Sequence, residues 1–120
     1  MKEAYFKDVV GIGDLYYVRS YYKCGCNDYV FTCKDAKNQL YMCLLVGMGD
    51  GVEEWSIFRT TQQLLSEYIL RCVSPWYMAN MSDGWVYDIT EDADGVDYSV
   101  KVTVQSSMLS NSRVAGHLCP

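Results

Sequence analysis

Tyr29-Val-Phe-Thr-Cys33, Lys34-Asp-Ala-Lys-Asn38, Gln39-Leu-Tyr-Met-Cys-Leu-Leu-Val46, Gly47-Met-Gly-Asp-Gly51 and Glu53-Glu-Trp-Ser-Ile-Phe-Arg59 follow one another almost without a break. The apolar pieces are short and β-branched or aromatic, and the pieces between them are rich in turn formers. Tyr29, Phe31 and Cys33 alternate with Val30 and Thr32. Leu40, Met42, Leu44 and Val46 form one face of the next segment, and Tyr41, Cys43 and Leu45 the other. Both of its faces are apolar, which predicts a central strand covered on both sides. Trp55, Ile57 and Arg59 then alternate with Glu54, Ser56 and Phe58 in a third strand. Two tight turns join the three, at Lys34 to Asn38 and at Gly47 to Gly51.

Working outward, Asp14 to Lys23 is aromatic and β-branched, with Leu15, Tyr17, Arg19 and Tyr21 predicted on one face and Tyr16, Val18, Ser20 and Tyr22 on the other. Gly11 and Gly13 separate it from a short first segment, Tyr5 to Val10, and Cys24 to Asp28 is a turn. After Arg59 the period changes. Leu64, Leu65, Tyr68, Ile69 and Cys72 make a helical stripe capped by Thr60 or Thr61. Ser74-Pro75 fits the start of a short second helix from Trp76 to Met81. Trp85 to Thr90 is a strand and Glu91 to Gly95 a turn. Val96, Tyr98, Val100, Val102 and Val104 share one face of a last, half-exposed strand, and the pattern fades from Ser106 to Pro120. The expectation is a single α+β domain over residues 1–120, with 106–120 a loosely ordered tail. Its antiparallel sheet has about four to six strands, with one or two helices packed on one face.

The composition narrows the function. The chain of 120 residues is half hydrophobic and 21% charged, which excludes disorder. Its longest apolar run, Leu40 to Val46, is too short to span a bilayer. The first residues, Met-Lys-Glu-Ala-Tyr-Phe-Lys-Asp, lack the apolar core of a signal peptide, so a cytoplasmic location is expected. In a reducing compartment the six cysteines are expected to be thiols, with Cys33, Cys43 and Cys72 inside apolar patterns.

The net charge of −5 is uneven. Residues 1–71 carry eight Lys or Arg against nine Asp or Glu, while residues 72–120 carry two against six. Asp83, Asp88, Glu91, Asp92, Asp94 and Asp97 crowd into fifteen residues, with no Lys or Arg between Arg71 and Lys101. Carboxylates gathered in a strand–turn–strand without cations repel one another, and docking of a basic surface relieves that repulsion. A solvated hairpin turn is the plainer explanation. Asp92-Ala-Asp94-Gly95 also echoes a calcium loop, but the closing Glu of such a loop is missing.

Three further groups are candidates. Cys24-Gly-Cys26 and His117-Leu-Cys119 form a chemically sensible zinc set, although a spacing of two is tighter than zinc ligands usually show. Eleven Tyr and three Trp exceed what a core needs. Tyr16, Tyr17, Tyr21 and Tyr22 bunch on both faces of one strand, and such rings serve as interface anchors as well as core. Catalysis has the weakest case. His117 is the single histidine, and no Gly-x-Ser-x-Gly, His-Glu-x-x-His or phosphate-loop motif occurs. No cofactor is expected, and binding is preferred over catalysis.

In size, acidity, tyrosine content and α+β organisation the chain resembles the small inhibitors that phages carry against bacterial defence nucleases, anti-CRISPR proteins aimed at Cas9-type nucleases among them. The resemblance implies stoichiometric binding in a bacterial cytoplasm. Asp88, Glu91, Asp92, Asp94 and Asp97 would imitate a phosphate array on a basic, nucleic-acid-binding nuclease, with Tyr or Trp anchors adding buried area. Direct nucleic acid binding is not expected, since the chain lacks a basic groove. An immunity protein or antitoxin neutralising a toxin nuclease, a small zinc-binding domain or enzyme, and a homodimer are the alternatives.

Overall fold

The structure, a computed structural model, describes residues 3–24, 27–71, 75–82 and 85–102. Seven strands and two helices occur there: β1 (Phe6–Val9), β2 (Gly13–Cys24), β3 (Asn27–Lys34), β4 (Leu40–Gly49), β5 (Val52–Arg59), α1 (Gln62–Arg71), α2 (Pro75–Ser82), β6 (Trp85–Asp92) and β7 (Gly95–Val102). The strands form one sheet in chain order, every neighbour antiparallel. The protein is thus predominantly β, with more strands than the four to six expected. All seven strands belong to this sheet, including the short β1 at its edge.

The register of β3 and β4 is regular, with Phe31 opposite Cys43 and Cys33 opposite Tyr41. Side chains therefore sort cleanly between the two faces of the sheet. One face gathers Phe31, Cys33, Tyr41, Cys43, Leu45, Trp55, Ile57, Tyr87 and Ile89. The other gathers Val30, Leu40, Met42, Leu44, Phe58 and Val86 beneath Leu65, Tyr68, Met78 and Ala79 of the helices. Central β4 is buried on both faces, as its two apolar faces predict.

The first face is closed by the sheet itself. Phe6 of β1 packs edge-on against Trp55 of β5 at 5.4 Å between centroids. Tyr5 meets Phe31 at 4.8 Å and Trp55 at 6.2 Å. Contact between strands so far apart in sheet order requires the sheet to curl, and the result is a half-barrel with β1 folded over its concave side. Phe31, fully buried, sits at the centre of these rings and also stacks on Tyr17 at 5.3 Å.

Local chemistry sets the boundaries. The Thr61 hydroxyl accepts from the Leu64 N–H at 3.2 Å, so Thr61 is the cap of α1, and Pro75 opens α2 as a first-turn proline should. Of the α1 stripe, Leu65 and Tyr68 are buried while Ile69 is 56% exposed, because the helix lays only a narrow row on the sheet. The turn expected over Gly47 to Gly51 is shorter: β4 continues to Gly49, and Asp50 and Gly51 reverse the chain with φ of 54° and 78°. Two consecutive left-handed residues of the Asp-Gly type are the favoured hairpin turn. Likewise Glu91 and Asp92 belong to β6 rather than to the following turn, which narrows to Ala93 and Asp94.

The alternation expected along β2 fails for a definable reason. The pairing with β3 shifts between Tyr17 and Arg19, between Ser20 and Tyr22, and between Tyr22 and Lys23. Each bulge adds a residue and changes which side follows. Tyr17 and Ser20, predicted on opposite faces, both donate to the Asp28 carboxylate. Adjacent Tyr21 and Tyr22 both pack against the helix-side core.

Candidate functional site

In an antiparallel meander alternate turns share an end of the sheet. The β4–β5 and β6–β7 turns therefore lie together, and so do the acids that flank them. Glu53 and Glu91 are direct cross-strand partners, both exposed. Asp50 and Asp94 are exposed on the adjoining turns, Asp92 is exposed at the end of β6, and Glu54 is half-buried opposite Thr90. Gly47 makes room for that carboxylate: a Cβ there would come within 3.2 Å of Glu54 Oε1. Six carboxylates from two hairpins thus occupy one end of the half-barrel.

Asp92 has a second task. Its Oδ1 accepts the backbone N–H of Asp94 at 2.8 Å and of Gly95 at 3.1 Å, tying the β6–β7 turn. Among the described residues the Asp94 carboxylate accepts no such bond, and its contribution is charge. Asp97 lies in β7 with its backbone opposite Thr90.

Tyr5 stands beside this end, 44% exposed. Its hydroxyl is pushed up to about 12, first by burial of part of the ring and then by the negative charge of the Asp28 and Glu53 carboxylates. Tyr5, Phe6, Lys7, Glu91 and Val96 line a cleft of about 220 Å³ between β1 and the β6–β7 hairpin. An aromatic ring and a cation therefore border the carboxylates.

Two sets of expected site residues are placed differently. Asp88 is 3% exposed and faces the helix-side core, where its Oδ1 accepts from the Ser56 hydroxyl at 2.8 Å. It cannot be part of an exposed docking face, because its position alternates with the concave-facing Tyr87 and Ile89 and puts it under the helices. Tyr16, Tyr17, Tyr21 and Tyr22 are all partly buried rather than displayed as one tyrosine face. Tyr17 donates to Asp28 and stacks on Phe31, and Tyr22 packs at 5.5 Å on Tyr29. Arg19 covers the Tyr21 ring at 5.3 Å.

Of the zinc set, Cys24 ends β2 with its backbone opposite Asn27, while Cys26, His117 and Cys119 lie outside the described residues, as does Asp83. Among the described residues no three His, Cys, Asp or Glu side chains converge to hold a metal ion. Cys33 and Cys43 are buried free thiols, and burial, with a hydrogen bond to Cys33, raises the Cys43 thiol well above its usual range. A thiol so protected is not a nucleophile at neutral pH. Among the described residues no helix is long and apolar enough to cross a membrane.

Sequence reasoning missed Asp50, Glu53 and Glu54, which are distant in sequence from Glu91 and become its neighbours only through the β5–β6 pairing. It also missed Tyr5. A usable signal was the pair Glu53-Glu54 at the start of a strand whose partner strand ends in Glu91-Asp92. Comparison with protein-family models, with curated proteins and with solved structures yields no match.

Proposed function

We propose that this chain is a stoichiometric protein-binding inhibitor of a basic, nucleic-acid-processing enzyme, of the kind represented by anti-CRISPR proteins. It docks through the acidic end of its half-barrel. The observation that carries the reading is the direct opposition of exposed Glu53 and Glu91, extended by Asp50 and Asp94 on the two turns and by Asp92 at the end of β6. Like charges placed directly across a strand pair work against the fold. Facing a partner rich in Arg and Lys, the same carboxylates become a complementary surface that steers association and imitates a run of phosphates. Tyr5, beside them, supplies an aromatic anchor of the kind that dominates interface energetics. The chain needs no catalytic group for such a task.

The test is capture of partners by the tagged protein from a nuclease-treated bacterial lysate, followed by salt titration of the purified pair. The reading expects one basic, nucleic-acid-handling protein held at equal stoichiometry after nucleic acid is removed. It also expects association to slow steeply with salt, since exposed charges are screened within about 10 Å at 0.1 M. Association independent of salt would count against the acidic surface and in favour of an apolar contact.

A further inference from the structure

Each helix lays one row of side chains on the sheet and turns the others to water. Leu65 and Tyr68 of α1 and Met78 and Ala79 of α2 are buried in the helix-side core. The outward side of a surface helix is ordinarily polar and charged. Here it is not. Leu70 at the end of α1 is 81% exposed, more than any other large apolar side chain among the described residues, with exposed Ile69 beside it. Met81 at the end of α2 is 57% exposed. The two helices touch each other, and only three residues connect them. Gln62, Gln63 and Ser66 are exposed on α1, spaced three and four residues apart so that they share a side with Ile69 and Leu70. Exposed Asn80 adjoins Met81 on α2, and Glu67, the one acid of α1, is half-buried. From Cys72 to Ser82 the sequence holds no charged residue. Among the described side chains, the outer side of the helices is therefore partly apolar and otherwise neutral, in a chain that is 21% charged.

We propose that the outer side of α1 and α2 is the surface through which two copies of this chain pair. Charge selects the occupant. A basic partner finds no ring of carboxylates here, whereas a second copy brings its own net charge of −5 and must meet the first where neither carries acids. A twofold contact sets each patch against itself. The acidic end, so opposed, would place like charges across the contact; the outer side of the helices would not. Leu70, Ile69 and Met81 supply apolar area whose removal from water drives association. The amides of Gln62, Gln63 and Asn80 and the Ser66 hydroxyl both donate and accept hydrogen bonds, so each can face its own kind. The pairing surface is separate from the docking surface: β5 runs from the acidic end at Glu53 to Arg59, and α1 starts beyond it. Either proposal stands if the other fails, and a pair formed this way carries two acidic ends.

The experiment is sedimentation equilibrium of the full chain from about 1 μM to about 1 mM, a range that reaches weak affinities, at low and at raised salt. The expected result is a mass that climbs with concentration from 13.7 kDa toward twice that value. Added salt is expected to leave the pairing unchanged or to strengthen it, because screening removes only the residual repulsion between acidic copies. Leu70→Lys and Met81→Lys each bury an unpaired charge in the contact and are expected to weaken pairing about tenfold. Both positions are exposed and lie in the last turn of a helix, where a cation suits the helix dipole, so the fold is not at stake. Val10→Lys, at an exposed apolar position in the β1–β2 turn, is expected to leave pairing unchanged. A monomer over the whole range overturns the assignment. So does pairing that salt weakens, that Leu70→Lys and Met81→Lys both leave intact, or that Val10→Lys weakens equally.

Discussion

Glu53 and Glu91 face each other directly across the β5–β6 pair, both open to water, at the end of a sheet where Asp92 closes β6 and the adjoining turns add Asp50 and Asp94. Side chains in such a pair have Cβ atoms about 5 Å apart. The arrangement costs stability in the isolated chain, and that cost gives the first prediction. Glu53→Lys converts repulsion into attraction and raises stability by about 0.5 kcal/mol, seen as a higher unfolding midpoint, while it weakens partner association.

The two acids of the β6–β7 hairpin separate by role. Asp92→Ala removes the acceptor of two backbone N–H groups and costs about 1 kcal/mol of stability. Asp94→Lys leaves the unfolding midpoint within error and lowers partner affinity. Equal effects of the two on stability would contradict the turn described for Asp92.

Asp88 behaves as a structural residue. A cation forced into its place beneath the helices, as in Asp88→Lys, leaves a charge without compensation and costs about 3 to 5 kcal/mol. Chemical denaturation measures this directly, and a folded Asp88→Lys protein of wild-type stability would show that the site is not buried as described.

Tyr41 gives the fold a dependence on alkaline pH. Burial is the main cause that pushes its hydroxyl from the ordinary 10.0 up to about 12, with its bond to Asp35 adding to the rise and Arg59 opposing it. Below pH 10 the hydroxyl is protonated in both folded and unfolded chains, and its contribution to stability is intact. Between pH 10 and about 12 the unfolded chain releases the proton first, so stability falls as pH rises through this window. Tyrosinate absorbance compared for the wild type and Tyr41→Phe checks this. Loss of a component titrating near 10 rather than near 12 contradicts it.

Much of the fold was legible because alternation is a direct image of burial. Leu40 to Val46, apolar on both faces, became the covered central strand, and the change of period after Arg59 marked α1 with Thr61 as its cap. The faces of β2 were not legible, since bulges shift the period and leave no mark in residue type; Ser20 turns toward Asp28 only because the pairing with β3 slips. For the site, the hairpin acids Glu91, Asp92 and Asp94 were found by their crowding. Asp50, Glu53 and Glu54 were not, because only the β5–β6 pairing brings them there. The burial of Asp88 was visible in principle, as it shares a strand face with Val86 beneath the helices. Arg59 likewise shares the parity of Trp55 and Ile57 and lies over the Tyr41 and Tyr87 rings.

The central claim is that the carboxylates of the two hairpins form the surface that holds a basic partner. Its most direct test is parallel capture from one nuclease-treated lysate by the wild type and by a Glu53→Lys, Glu91→Lys, Asp94→Lys variant shown to unfold at or above the wild-type midpoint. The account predicts a stoichiometric basic, nucleic-acid-handling protein on the wild type and its loss from the variant. Retention of that partner by the folded variant contradicts the account.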